Sequence, residues 1–241
     1  MSNPTAAMIV IGDEILSGRT QDTNSNHLAQ QLTLMGVDLK EIRVVSDDEV
    51  QIIDAVNTLR MKYTNVFTSG GIGPTHDDIT ADCIAKAFDV SIDVRADARA
   101  ALAKNYKNPE TELTQTRLRM ARIPDGADLI DNPVSKAPGF SLENVHVMAG
   151  VPTIFRAMLA GLLPKLTSGK KVLSETVSLK MKEGDIAKQL GVIANNNPDT
   201  SIGSYPYYDN GAFGCNLVVR STNAARVSEV AILIRKTFAE D

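Results

Sequence analysis

The chain is organised around Thr68-Ser69-Gly70-Gly71-Ile72-Gly73-Pro74-Thr75-His76-Asp77-Asp78-Ile79-Thr80. Asn65-Val66-Phe67 ahead of it reads as a short buried strand. Ala81 to Phe88 behind it reads as a helix whose first turn Thr80 is placed to cap. A strand that passes through glycines into a helix N-terminus can hold a phosphate. Its amides point outward, the helix dipole favours negative charge, and glycine lets an anion approach the backbone. The stretch is neither a Walker A loop nor a G-x-G-x-x-G fingerprint: no Gly-Lys-Ser/Thr follows, and Asp77-Asp78 stand where a dinucleotide loop is neutral. Two acids beside an oxyanion site point to a bridging metal ion or to a base for water. The plainer alternative is a turn with a solvated acid pair.

The flanking pattern says what carries this loop. Thr5 to Gly12 is an apolar run of the kind covered on both faces, and it ends in Gly12-Asp13-Glu14-Ile15-Leu16-Ser17-Gly18. Asp22-Thr23-Asn24 starts a helix with Leu28, Leu32 and Met35 on one stripe and Gly36 as its stop. Val37 to Val45 reads as a second strand closing on Ser46-Asp47-Asp48, and the next helix places Ile52, Val56 and Leu59 on one face. Strands alternating with helices, with polar loops after the strands, imply a parallel sheet with helices on both faces. Ligands of such sheets bind beyond the carboxyl ends of the strands, so the loops around Glu14, Asp47 and Gly70 are expected to converge on one crevice.

Ala96 to Arg122 reads as a helical excursion broken near Asn108-Pro109, followed by a turn at Ile123-Pro124-Asp125-Gly126. Asp131 to Phe140 is a proline-rich loop carrying Lys136, and Phe140 to Ala149 reads as a hairpin around Glu143-Asn144. Gly150-Val151-Pro152-Thr153 then opens another helix. From about Thr167 a strand, a helix, two strands paired across Asn210-Gly211 and a last helix read as a small second domain. The expected division is 1–167 and 168–241. With 241 residues, 43% of them hydrophobic, and no apolar run near the roughly 20 residues of a membrane span, no membrane association is expected. A net charge of -4 makes nucleic acid an unexpected partner. Two cysteines, Cys83 and Cys215, fit no metal spacing and suggest a reducing compartment, and Ser2-Asn3-Pro4 is too short and polar for a signal peptide. The expected location is the cytoplasm.

The motifs Gly12-Asp13-Glu14-Ile15-Leu16-x-Gly18, Thr23-Asn24 and Ser69 to Thr80, in that order, resemble the molybdopterin-binding (MoaB/Mog-like) fold. More narrowly, they resemble the N-terminal region of CinA-type competence/damage-inducible proteins and of eukaryotic FAD synthases. Asn132-Pro133, Ala137-Pro138-Gly139-Phe140, Gly150-Val151-Pro152 and Ile202-Gly203-Ser204-Tyr205-Pro206 extend the likeness over nearly the whole chain. The resemblance implies a three-layer α/β/α domain with a mostly parallel sheet, a small α+β C-terminal unit, and binding of pterin or nucleotide phosphates. In the CinA branch it implies a metal-dependent pyrophosphatase acting on nucleotides such as ADP-ribose, and in the FAD-synthase branch a related FAD-hydrolysing activity. Related folds commonly associate, so a homo-oligomer is expected. Two departures stand out. Gly150-Val151-Pro152-Thr153-Ile154 replaces the Gly-Pro-Pro-x-Glu usual in the CinA form, which is closer to the FAD-synthase version. The amidase domain of full-length CinA is absent, so nicotinamide-nucleotide deamidation is not expected.

The expected phosphate- and nucleotide-binding set is Gly12, Ser69, Gly70, Gly71, Gly73, Thr75, Lys136 and Gly150. Asp77 and Asp78 are the expected catalytic acids and, with Glu14, the expected metal ligands. Asp47 is either a ligand-side acid or a helix N-cap. With no His or Cys cluster, the metal is a hard, oxygen-bound divalent ion such as Mg2+, with K+ as a further candidate. His76 sits in the loop within reach of a ligand, His27 reads as helix surface, His146 as strand packing and Cys83 as core filler. Hydrolysis of a diphosphate bridge needs charge neutralisation more than covalent chemistry. The function the resemblance implies is metal-dependent pyrophosphate hydrolysis of the CinA N-terminal type, on a nucleotide of the ADP-ribose or FAD class. The alternatives are molybdopterin binding or adenylylation, and a nucleotide-binding module without chemistry.

Overall fold

Ala6–Ile11 is buried without a break because its strand is covered on both sides. In the computed structural model, which describes residues 3–209 and 211–239, β1 (Thr5–Ile11) alternates cleanly between two apolar layers. Ala7, Ile9 and Ile11 face one cluster; Ala6, Met8 and Val10 face the other. The chain continues through a helical turn, α1 (Asp13–Leu16), to α2 (Asn24–Met35), which ends at Gly36 in the left-handed conformation, as a helix stop requires. Next come β2 (Asp38–Val45), α3 (Glu49–Lys62), β3 (Asn65–Ser69) and α4 (Thr80–Phe88).

The excursion that follows is less helical than its composition suggests. β4 (Ile92–Val94) leads into three short pieces, α5 (Ala96–Ala103), α6 (Pro109–Glu112) and α7 (Gln115–Leu118), and the chain returns through β5 (Arg122–Pro124), antiparallel to β4. Ile123 and Pro124 thus belong to a strand, and only Asp125-Gly126 turns. Three-residue strands are too short to show a period of two, which is why the sequence pattern hides them. β6 (Asp128–Ile130), β7 (Gly139–Leu142), β8 (Val145–Met148) and α8 (Pro152–Leu162) complete this part.

The six-stranded sheet has the order β2-β1-β3-β8-β7-β6. β2, β1, β3 and β8 are parallel, while β7 and β6 join antiparallel. α3 and α4 cover one face with Ile52, Val56, Leu59 and Ile84; α2 and α8 cover the other with Leu28, Leu32, Phe155 and Leu159. Each such fully buried side chain contributes roughly 1.5–3 kcal/mol of transfer free energy. The result is the expected three-layer α/β/α sandwich with a mostly parallel sheet.

The chain divides into two compact units, the first ending at Gly169 and the second beginning at Lys170. The second comprises β9 (Leu173–Leu179), α9 (Glu183–Asn196), β10 (Ser201–Asp209), β11 (Ala212–Ser221) and α10 (Ala224–Thr237). Its antiparallel sheet, ordered β10-β11-β9, packs Val177, Leu217 and Val219 against Ile186, Ile193, Val230 and Ile234 from its two helices. Of the turn expected at Asn210-Gly211, Asn210 lies outside the described residues. Among the described residues, no helix is long and apolar enough to cross a membrane.

Candidate functional site

Four parallel strands deliver their carboxyl ends to one edge of the sheet, and the loops that follow them meet around a cavity of about 530 Å³. Gly12 and Glu14 enter from β1, Asp47 from β2, Gly70, Gly71, Gly73, Asp77 and Asp78 from β3, and Gly150 from β8. Lateral hydrogen bonds tie these loops together. The Asp13 amide donates to Asp47 Oδ2 at 3.0 Å, joining the first two. Buried Asn24, at the start of α2, donates through Nδ2 to Ser69 Oγ at 2.8 Å and to the Gly150 carbonyl at 2.7 Å, joining the last two.

The glycine loop needs its glycines for two distinct reasons. Gly70 has φ 111° and lies against β1, where a Cβ would overlap the Ile11 carbonyl oxygen. Gly71 has φ 68°, and a Cβ there would overlap Thr80 Oγ1. Thr80 does not cap α4 as its position suggests. Ile79 occupies the cap position, without a side-chain bond, while buried Thr80 donates through its hydroxyl to the Gly70 carbonyl at 3.0 Å and through its amide to the Gly71 carbonyl at 2.9 Å. The hydroxyl is therefore spent on closing the loop over the helix end.

Two of the expected glycine amides are taken up within the sheet edge. The Gly70 amide donates to the Met148 carbonyl at 3.2 Å and the Gly12 amide to the Val45 carbonyl at 3.1 Å. Both glycines thus line the cavity without offering a donor. Among the described residues, no hydrogen bond takes up the amides of Gly71, Ile72 or Gly73, three successive donors that form a cradle at the cavity. Thr75 is also committed: its amide donates to Asp78 Oδ2 at 2.8 Å, and its hydroxyl makes a short bond to the same oxygen. Ser69, with its Oγ taken by Asn24, and Thr75 are not among the residues lining the cavity. Nor is Lys136, whose Nζ turns back to the Pro133 carbonyl at 3.0 Å although its neighbours Ser135 and Ala137 line the wall. The Lys136 ammonium is thus held within its own loop.

Among the described residues, the cavity wall carries Glu14, Asp47, Asp77 and Asp78, and not one Lys, Arg or His. Burial raises the pKa of Asp47, against the Asp13 hydrogen bond, and repulsion from Asp13, Glu14 and Asp77 adds to the rise. Asp47 is not the helix cap either; Asp48 caps α3, accepting from the Gln51 amide at 3.0 Å. Among the described residues, no three acidic, His or Cys side chains stand together as a ready-made cation cage. Carboxylates are the donor type a hard cation takes, so a cation at this wall would need oxygens of a bound ligand to complete its coordination.

Three residues outside the expected site set shape it. Asn24 and Asn132 belong to motifs of the family resemblance without an assigned role, and Arg119, whose Nη2 donates to the Asp78 carbonyl at 3.0 Å, lies in the excursion 41 residues away. Asn132 is 1% exposed and organises the loop to Ala137, accepting from the Val134 and Ser135 amides and donating to Ser135 Oγ and the Ala137 carbonyl. Its place in Asn-Pro is the signal that could have found it. Away from the cavity, His146 is buried between Ser141 and Asn65, His27 is half-buried on α2, and burial pushes the Cys83 thiol up to about 12, an inert core residue.

A doubly covered, mostly parallel sheet with an amide cradle and acids at its carboxyl edge defines a ligand-binding α/β domain. Residues 7–168 match the family described as "Probable molybdopterin binding domain", and the chain belongs to that family. Residues 171–241 match "FAD synthase, middle domain". A protein of Archaeoglobus fulgidus is 34% identical over 83% of this chain and 84% of its own length. A "Probable FAD synthase" of Caenorhabditis elegans is 32% identical over 98% of this chain, which spans 50% of that protein. Among solved structures, the CinA protein of Thermoplasma acidophilum, described as of unknown function, is 34% identical with a TM-score of 0.63, over 68% of this chain and 99% of that one.

Proposed function

We propose that the first unit binds a nucleotide with a diphosphate bridge, of the ADP-ribose or FAD class, and hydrolyses the bridge with a divalent cation such as Mg2+; K+ is a second candidate. The observation that carries this reading is the pairing of three uncommitted amides, on Gly71, Ile72 and Gly73, with four carboxylates and no cation in the same wall. The amides suit phosphate oxygens, whereas four acids alone repel them, so a diphosphate enters with its own cation. A bound divalent ion would neutralise the bridge and lower the pKa of a nearby water.

The residues then divide the work. Gly71, Ile72 and Gly73 bind non-bridging oxygens of one phosphate. Glu14 and Asp77 would hold the cation, which would supply charge neutralisation and an activated water. Asp78, fixed in one orientation by Thr75, accepts a proton from the attacking water through its other carboxylate oxygen. The water oxygen bonds to phosphorus, the bridging oxygen leaves on the second phosphate, and two monophosphates result.

Incubation of the protein with ADP-ribose or FAD, with and without Mg2+, tests the reading by product analysis. Asp78→Asn should lower metal-dependent turnover by at least roughly 10²-fold, the scale of losing one acid–base group. A second reading, molybdopterin binding or adenylylation, is favoured by the family match over residues 7–168. Absence of turnover with a pterin co-purifying, seen by native mass spectrometry, would favour it. Binding of ADP-ribose without turnover would favour a nucleotide-binding module. Homo-oligomerisation rests on the family resemblance and is read by light scattering.

A further inference from the structure

Six hydrogen bonds shape the acid loop, and five of them close it on its own neighbourhood. The Asp78 carboxylate takes both donors of Thr75, the Asp78 amide reaches the Thr75 carbonyl at 3.3 Å, and Thr80 holds the Gly70 carbonyl through its hydroxyl and the Gly71 carbonyl through its amide. The sixth is the Arg119 bond to the Asp78 carbonyl at 3.0 Å, the one long-range tie among them. Asp78 also packs against Gly73, where a Cβ would strike its carboxylate, so its backbone position sets where that carboxylate meets the cradle.

Arg119 differs from its arginine neighbours. Arg95 is paired with Asp97 and Arg122 with Asp82, each at 2.7 Å, whereas Arg119 makes no ion pair among the described residues and its Nε is buried without a partner. It lines a small recess that shares Gly71, Ile72, Gly73, Asp78 and Met120 with the main cavity. A guanidinium left without a carboxylate partner is costly, and its planar fork suits a fixed geometry better than an ammonium does.

We propose that Arg119 is the positioning residue of the acid loop, holding the Asp78 main chain so that the Asp78 carboxylate stays against the glycine cradle. The inference rests on the hydrolase reading for what Asp78 does, but the tie itself can be measured without turnover. Arg119→Gln and Arg119→Lys are compared with the wild type by amide hydrogen exchange in the ligand-free chain and by kcat and KM for ADP-ribose with Mg2+. Arg119→Gln should raise exchange at residues 75–79 at least about tenfold, leave α2 and α8 protected, and lower kcat about tenfold with KM within about twofold. Arg119→Lys, which keeps one donor, should restore part of both. Unchanged exchange at 75–79 in Arg119→Gln overturns the proposal. So does loss of protection throughout the first unit in both variants, which would make Arg119 a general stability residue. If the wild type has no turnover, the hydrolase reading fails while the exchange result still decides the role of Arg119.

Discussion

The Thr80 hydroxyl donates to the Gly70 carbonyl at 3.0 Å from a fully buried position, closing the glycine loop over the start of α4. Thr80→Val keeps the shape and removes the donor, leaving the Gly70 carbonyl without it. The expected loss is about 1–3 kcal/mol of stability, read by urea denaturation, together with weaker ADP-ribose binding by calorimetry. A stability change below about 0.5 kcal/mol would show that the loop does not depend on this bond.

Gly71 and Thr80 should also couple. Gly71→Ala places a residue at φ 68° and drives its Cβ onto Thr80 Oγ1. We expect a loss of about 2 kcal/mol or more, from roughly 1–2 kcal/mol of left-handed strain plus the clash. Thr80→Ala removes the clashing atom. The double variant should therefore be more stable than the sum of the singles predicts, by about 0.5 kcal/mol or more. Strict additivity would place the Gly71 effect in strain alone.

Asp47→Asn separates charge from geometry. Asparagine can still accept from the Asp13 amide, but one of four carboxylates on the cavity wall is gone. Without metal, ADP-ribose affinity should rise about two- to fivefold, the scale of one partly screened charge. Titration calorimetry in EDTA measures it. Weaker binding there would mean that repulsion does not limit the metal-free complex.

His146 makes the first unit sensitive to acid. It is 5% exposed, and burial depresses its pKa from 6.5 to about 4. The unfolded chain therefore binds the proton first, so stability is full above pH 6.5 and declines as pH falls towards 4. The decline due to this group should exceed about 1 kcal/mol at pH 5.5 and reach about 3 kcal/mol at pH 4. Urea midpoints for the wild type and His146→Gln across this range isolate it. Identical pH slopes in the two proteins would assign acid sensitivity to other groups.

Much of the fold is legible from local pattern. The unbroken apolar run of Thr5–Ile11 requires cover on both faces, and β1 has it. The stripes of Leu28 and Leu32, and of Ile52, Val56 and Leu59, face the layers that helical spacing assigns them. Hydrophobic periodicity and glycine punctuation act within a few residues, so sequence alone determines where the longer strands and helices and the glycine–acid loop lie, but not the three-residue strands of the excursion. Strand alternation then places the loops of Glu14, Asp47 and Gly70 at one edge. What only the tertiary structure decided is which atoms remain free there. Sheet order spends the Gly12 and Gly70 amides on the Val45 and Met148 carbonyls, turns Lys136 back to Pro133, and brings Asn24 and Arg119 to loops far away in the chain. Nearly every buried backbone donor finds an acceptor, and across the carboxyl edge of a sheet that acceptor comes from whichever strand lies alongside, which no local pattern encodes.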